Sequence, residues 1–270
     1  MSFVERLQGA SERAGSGLCI GLDTDLSHIP DGMRSGANPQ LDFNRAVIEA
    51  TGDLAAAYKL NLAFYEAAGA IGMEALRGTL AAIPRDVVTI GDAKRGDIAN
   101  TAERYARALF DDLGFDATTV NPYMGMDSMA PFFAYEGRGV FVLALTSNPG
   151  SADFQRLGVD GVPLYQCVVT RTLEAFGSLG RLGFVVGATY PDELGAVRRM
   201  VGLEVPLLIP GLGSQGGDAE ATVDANIGGF ALYNVSRSIT TAWSREEGWE
   251  GIRRAAQGYR DLLAGAPRSA

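Results

Sequence analysis

Two carboxylates and an ammonium fall close together in Asp92-Ala93-Lys94-Arg95-Gly96-Asp97, just after the apolar run 87–90. Alternate residues of an extended strand share a face. Val88, Ile90, Asp92 and Lys94 are therefore expected to point one way, and Asp97, beyond the kink at Gly96, can curl back toward them. Opposite charges crowded at a strand end make a poor core and a plausible proton-transfer site. Lysine is also scarce. Of 23 basic residues only Lys59 and Lys94 are lysine, and the rest are arginine. Arginine stays protonated, whereas lysine is a compact charge that can give up a proton. A general drift of surface positions to arginine explains the scarcity but not the placement, since both lysines lie in apolar, strand-like stretches.

Asp92 and Asp97 could hold a divalent cation, but Lys94 between them already supplies counter-charge. A Schiff base needs an uncharged amine, and flanking carboxylates favour the charged form. A charged lysine suits proton donation. Asp23 and Lys59 extend the array to alternating charges, which would also serve as an ion-pair network holding Lys94 rigid.

Other motifs are weaker. His28 is the only histidine, which excludes the usual His-based zinc sites and leaves any His-dependent triad hanging on one loop residue. Ser147 opens a Ser-Asn-Pro-Gly turn without a nucleophile elbow, which suits hydrogen bonding to a ligand or a turn cap. The stretch Gly211-Leu-Gly-Ser-Gln-Gly216 matches G-x-G-x-x-G. A dinucleotide fingerprint asks for an acid ending the next strand, but that strand here ends Tyr233-Asn234-Val235-Ser236-Arg237. A phosphate cradle fits better, with glycine amides, Gln215 and the Arg237 guanidinium converging.

The elements that must position these residues alternate along the chain. Apolar runs at 17–23, 54–61, 86–94, 116–121, 139–146, 182–188, 204–210 and 229–235 are predicted strands, too continuous for half-exposed ones. Helical spacing predicts helices at 2–14, 40–53, 64–82, 99–113, 127–135, 163–178, from 189 onward, at 218–227 and at 246–264. No composition break marks a boundary. The expectation is one (β/α)₈ TIM barrel over residues 1–270, with a doubly wound open sheet as the alternative. In a barrel, function sits at the C-terminal ends of the strands. Asp23, Lys59, Asp92, Lys94, Ser147, Gln215 and Arg237 all fall there, spread over six strands, with Asp92 and Lys94 sharing one.

With 47% hydrophobic and 20% charged residues over 270 positions, the composition is that of a globular protein with ample core. A net charge of −9 disfavours nucleic acid and anionic membrane as partners, so an anionic ligand must be held by local cations and backbone N–H groups. Two distant cysteines, Cys19 and Cys167, and an amphipathic N-terminus without a signal-peptide pattern point to a cytoplasmic protein with reduced thiols. No apolar run approaches membrane-spanning length.

Over nearly its whole length the chain resembles the orotidine 5′-phosphate decarboxylase family, in its longer branch. The resemblance rests on Gly-Leu-Asp23, Tyr-Lys59-Leu-Asn-Leu-Ala-Phe-Tyr-Glu66, Asp92-Ala-Lys94-Arg-Gly-Asp97-Ile98, Thr-Ser147-Asn-Pro-Gly, Pro210-Gly-Leu-Gly-Ser-Gln215-Gly-Gly and Ser236-Arg237-Ser. It implies conversion of orotidine 5′-monophosphate to uridine 5′-monophosphate and CO₂, without cofactor or metal, as the last step of de novo pyrimidine nucleotide synthesis. Under it Lys94 protonates C6 of the pyrimidine and Asp92 sits near the departing carboxylate. Asp97, with Ile98 and Thr101, reaches into a neighbouring subunit's site, so a homodimer with shared active sites is implied. Asp23 and Lys59 bind ribose hydroxyls and orient Asp92 and Lys94, Ser147 bonds the pyrimidine amide, and Gln215 and Arg237 hold the phosphate. The loops 148–162 and 211–217 are candidates to close over the ligand. Two alternatives are a Mg²⁺-dependent sugar-phosphate decarboxylase or synthase of the same superfamily, and a nucleotide-binding barrel without chemistry.

Overall fold

The computed structural model describes residues 2–213 and 218–264. Its strands in chain order are β1 (Leu18–Gly21), β2 (Ala57–Asn61), β3 (Val88–Arg95), β4 (Ala117–Val120), β5 (Gly139–Leu145), β6 (Gly158–Val159), β7 (Val162–Pro163), β8 (Leu182–Val186), β9 (Leu207–Pro210) and β10 (Ala231–Val235). β6 and β7 form a small antiparallel hairpin. The other strands close a parallel barrel in the order β1-β10-β9-β8-β5-β4-β3-β2, which is the (β/α)₈ arrangement expected from the alternation of apolar runs and helices.

The barrel strands are buried on both faces, as in β1, β4, β8 and β10. Their outer faces pack against the surrounding helices in a continuous apolar layer. The inner face is a separate apolar cluster that mixes small side chains, among them Cys19, Ala57 and Ala117, with larger ones such as Ile90 and Phe141. Helix Phe3–Ala14 closes this inner cluster from below with Phe3, Leu7, Ala10 and Ala14. It starts in a reciprocal capping box, Ser2 accepting from the Glu5 N–H at 3.2 Å while the Ser2 N–H donates to Glu5 Oε2 at 2.7 Å. It ends at Gly15, whose φ of 77° is the left-handed turn that glycine takes without steric cost. Phe3 meets Phe141 edge-on at 6.0 Å. The barrel bottom is therefore sealed, and only the top can admit a ligand.

Several expected elements are subdivided. The segment 64–82 is two helices, Leu62–Glu66 and Gly69–Ala82, because the chain turns through Gly69 at φ 64°. The segment 99–113 is Ala99–Arg107 followed by a π turn over Ala108–Asp112. The loop 148–162 carries a short helix, Ser151–Phe154, and most of the β6–β7 hairpin. A short helix, Arg237–Thr240, also follows β10. Behind the loop after β1 lies a buried polar network. Asn44 Nδ2 donates to Tyr65 Oη and Thr79 Oγ1, each at 3.0 Å. Asn44 Oδ1 accepts from Thr24 Oγ1, and Tyr65 Oη donates to the Leu22 carbonyl at 2.9 Å. It pins the chain on both sides of Asp23.

Candidate active site

Register brings the charged residues together. Gly21 pairs with Lys59, and Asn61 pairs with Asp92. Lys59 and Asp92 thus share the inward face of adjacent strands, one layer above the sealed cluster. Asp23, just past β1, is tied down by the Asn61 N–H at 3.2 Å. Lys94 reaches the same point differently from the alternation expected. β3 is irregular between Gly91 and Arg95, and Lys94 has φ 47°.

The result is a linear charge array. Lys59 Nζ lies 3.4 Å from Asp23 Oδ1 and 2.9 Å from Asp92 Oδ2. Lys94 Nζ lies 2.6 Å from Asp92 Oδ1. Exposure is least at the Lys59 side chain, 5%, and rises through Asp92 at 10% to Lys94 at 46%, with Asp23 at 19% on the other side. Burial works to neutralise Asp92, but the Lys59 and Lys94 ammonium groups outweigh it and hold the carboxyl well below the usual range. Burial likewise works to discharge Lys59, and Asp23 and Asp92 overcome it, pushing the amine above its ordinary value. Beneath the array, burial pushes the Cys19 thiol up to about 12, so it is inert as a nucleophile.

The array floors a cleft of about 590 Å³ at the C-terminal ends of the strands. Asp23, Lys59, Asp92, Lys94, Ser147 and Arg237 all line it, as do Gly211 and Leu212 of the glycine-rich turn. Gly211 and Gly213 have φ of 103° and 75°, conformations that explain glycine at both positions. Gln215 lies outside the described residues. Ser147 lies against the chain just past β8, where a Cβ on Gly187 would stand 2.8 Å from the Ser147 backbone. His28 lies at the cleft margin.

Asp97, Ile98 and Thr101 do not line this cleft. Asp97 does not curl back onto Lys94. Gly96 packs so tightly on the Asn121 carbonyl that a Cβ there would lie 2.8 Å from it, and this close passage carries the chain outward. The Asp97 carboxylate accepts the Ile98 N–H at 2.8 Å, and Ile98 is 57% exposed.

Sequence reasoning missed Thr119. Its hydroxyl bonds Asp92 Oδ1 at 2.9 Å and accepts the Lys94 N–H at 2.9 Å. The available signal was a threonine two residues after Ala117, on the inward face of a strand otherwise predicted to be buried. Apolar cleft walls at Leu143, Val185 and Leu208 were missed as well, because an apolar residue in a strand carries no mark of what it faces.

A parallel eight-stranded barrel with a lysine–carboxylate array flooring a cleft at its open rim places the chain among the (β/α)₈ barrels with a charged site at the C-terminal ends of the strands. Comparison with known proteins gives it a lineage. The chain belongs to the orotidine 5′-phosphate decarboxylase / HUMPS family, whose profile matches residues 16–252. It is 45% identical over 258 residues to the orotidine 5′-phosphate decarboxylase of Herpetosiphon aurantiacus, covering 95% of this chain and 96% of that one. The structure of Leishmania donovani OMP decarboxylase superposes with a TM-score of 0.84 at 38% identity, covering 97% of this chain and 98% of that chain. Leishmania donovani UMP synthase gives a TM-score of 0.87 at 39% identity, this chain covering 56% of that longer one.

Proposed function

We propose that the Asp23-Lys59-Asp92-Lys94 array performs this chain's reaction, the decarboxylation of orotidine 5′-monophosphate to uridine 5′-monophosphate and CO₂, by electrostatic stabilisation and proton donation. The observation that carries the mechanism is the Lys94 ammonium, exposed to the cleft and held 2.6 Å from Asp92. Loss of CO₂ from C6 leaves an electron pair in an sp² orbital, out of conjugation with the ring. No electron sink exists, so catalysis must come from a cation fixed where the anion develops. Lys94 supplies that charge and then the proton. Asp92 keeps Lys94 aimed and stands beside the departing carboxylate. Both its oxygens are engaged by ammonium groups, which balances the site's charge without a cofactor.

Asp23 and Lys59 hold the ribose hydroxyls, Ser147 the pyrimidine amide, and Arg237 with Gln215 the phosphate. Binding energy from the remote phosphate is thereby available to the transition state. Asp97, Ile98 and Thr101 complete the site of a second copy in a homodimer. Their place outside their own cleft supports this, as does the exposure of Ile98, Tyr123 and Met124 in segments following the neighbouring strands β3 and β4. The whole chain works as one barrel domain, since a single apolar layer runs from Leu18 to Leu263. The free cysteines Cys19 and Cys167 support a cytoplasmic setting.

Chelator-treated protein mixed with orotidine 5′-monophosphate is expected to shift the ultraviolet spectrum to that of uridine 5′-monophosphate. An unchanged spectrum refutes the activity, and loss of turnover on chelation alone favours a metal-dependent relative. Lys94→Ala should lower kcat by at least about 10²- to 10⁴-fold, the scale of a lost proton-transfer group, while still binding uridine 5′-monophosphate. Near-normal turnover in that variant overturns the donor assignment.

A further inference from the structure

β3 and β4 fall out of step at the site. Between the pairs Gly91↔Thr118 and Arg95↔Val120, β3 runs through Asp92, Ala93 and Lys94 while β4 has only Thr119. Such a bulge takes ladder partners away from the longer strand and re-aims its side chains. Lys94 sits within it at φ 47°, a left-handed setting that residues with a Cβ adopt at a cost. Lys94 has no register partner on β2 or β4, and its N–H donates to Thr119 Oγ1 at 2.9 Å. A hydroxyl has one proton to give. With a lone pair taken by the Lys94 N–H, the Thr119 proton is directed to Asp92 Oδ1 at 2.9 Å. Thr119 is 1% exposed, so water competes little for either bond.

We propose that Thr119 is a positioning residue for the decarboxylation, its one hydroxyl fixing the Asp92 carboxylate and the Lys94 backbone together. The inference rests on the assignment of Lys94 as proton donor and Asp92 as its partner. Asp92 Oδ1 receives both the Lys94 ammonium and the Thr119 hydroxyl. When the ammonium turns toward the carbon to be protonated, the Thr119 bond remains on Oδ1 and the carboxylate keeps its place. Thr119 Oγ1 also accepts the Lys94 N–H and so anchors the root of the Lys94 side chain in its strained conformation. Donor and counter-ion are then preorganised by one group, and a misplacement of either by a fraction of an ångström lowers the rate rather than the affinity.

Thr119→Val keeps the shape and removes the hydroxyl. The expected result is a fall in kcat of roughly ten- to hundredfold, the scale of one hydrogen bond to a charged group. KM and the affinity for uridine 5′-monophosphate should stay within about threefold of wild type, because the lost contact acts on the transition state rather than on binding. Thr119→Ser, which retains the hydroxyl, should recover most of kcat. A wild-type kcat in Thr119→Val, a loss confined to KM, or equal losses in the valine and serine variants would each overturn the proposal. If the valine chain does not fold, Thr119→Ala against Thr119→Ser reads the same difference, and equal kcat in those two overturns it. Lys94→Ala measured alongside separates this inference from the assignment beneath it. An active Lys94→Ala removes the donor role, whereas an inactive Lys94→Ala beside a fully active Thr119→Val removes the Thr119 role alone.

Discussion

Asp92 is the residue on which the site's charge depends. It is buried, yet it receives hydrogen bonds from Lys59, Lys94 and Thr119. Its depressed pKa fixes the sign of its pH dependence. A carboxyl lowered on folding contributes stability that is present above the unfolded value, about 3.9, and lost only as pH falls through the folded one. Lys59 behaves oppositely. An amine raised on folding contributes below its unfolded value, about 10.4, and loses that contribution as pH rises through the folded one. Both contributions are therefore complete at neutral pH. Lys59→Met removes one of the two cations that outweigh burial at Asp92, so the Asp92 carboxyl moves up. The acid limb of kcat/KM, followed from about pH 4 to pH 8, should then shift to higher pH. An acid limb that stays in place shows that Lys59 does not set the charge of Asp92. Because the pair is buried, the same variant should lose about 3–5 kcal/mol of stability in a denaturant titration.

At the scale of the element, the barrel divides its labour between its ends. Helix Phe3–Ala14 stops the lower end, and the array occupies the upper one. Arg198 secures another part of the lower end. It is 1% exposed and its guanidinium donates to Asn226 Oδ1 and to the carbonyls of Gly202, Val205 and Phe230, tying helix Pro191–Val201 to the chain entering β9 and β10. These contacts lie at the opposite end of the barrel from Lys94. Phe3→Ala empties a site packed against Phe141 and should cost about 3–5 kcal/mol, read as a lower melting temperature. Its kcat and KM at a temperature where the variant remains folded should equal those of wild type. A changed KM would show that the plug is felt at the rim.

For the whole molecule, the decisive question is which site Asp97 serves. In one chain it stands outside the cleft that its neighbour Lys94 lines. If a partner copy uses it, Lys94→Ala and Asp97→Ala should each inactivate both sites of their own homodimers. A hybrid dimer of the two carries one site with Lys94 and a partner's Asp97 intact. Random reassortment makes half of the dimers hybrids, so a refolded equimolar mixture should regain about a quarter of wild-type activity. No recovery on mixing, with hybrids verified by mass, assigns Asp97 to its own subunit. Light scattering of the wild-type protein supplies the independent check, a mass of two chains.

Much of this site is legible in the sequence. The rarity of lysine singled out Lys59 and Lys94, and the spacing of Asp92 and Lys94 on an apolar run placed them together at a strand end. The alternation of buried strands with amphipathic helices pointed to the barrel and left an open sheet as the alternative, because hydrophobic periodicity is local and survives in the sequence, whereas closure rests on the pairing of β1 with β10. Asp23, Ser147 and Arg237 reached the same cleft for the same reason, each following a strand. The remaining placements depend on register between strands, which no local pattern encodes. The slip of β3 against β4 set Lys94 in a left-handed conformation and made Thr119 the single residue opposite three. The close passage of Gly96 over Asn121 sent Asp97 outward. A strand's own residues specify that it will be buried. Its neighbours specify where along it the charges meet.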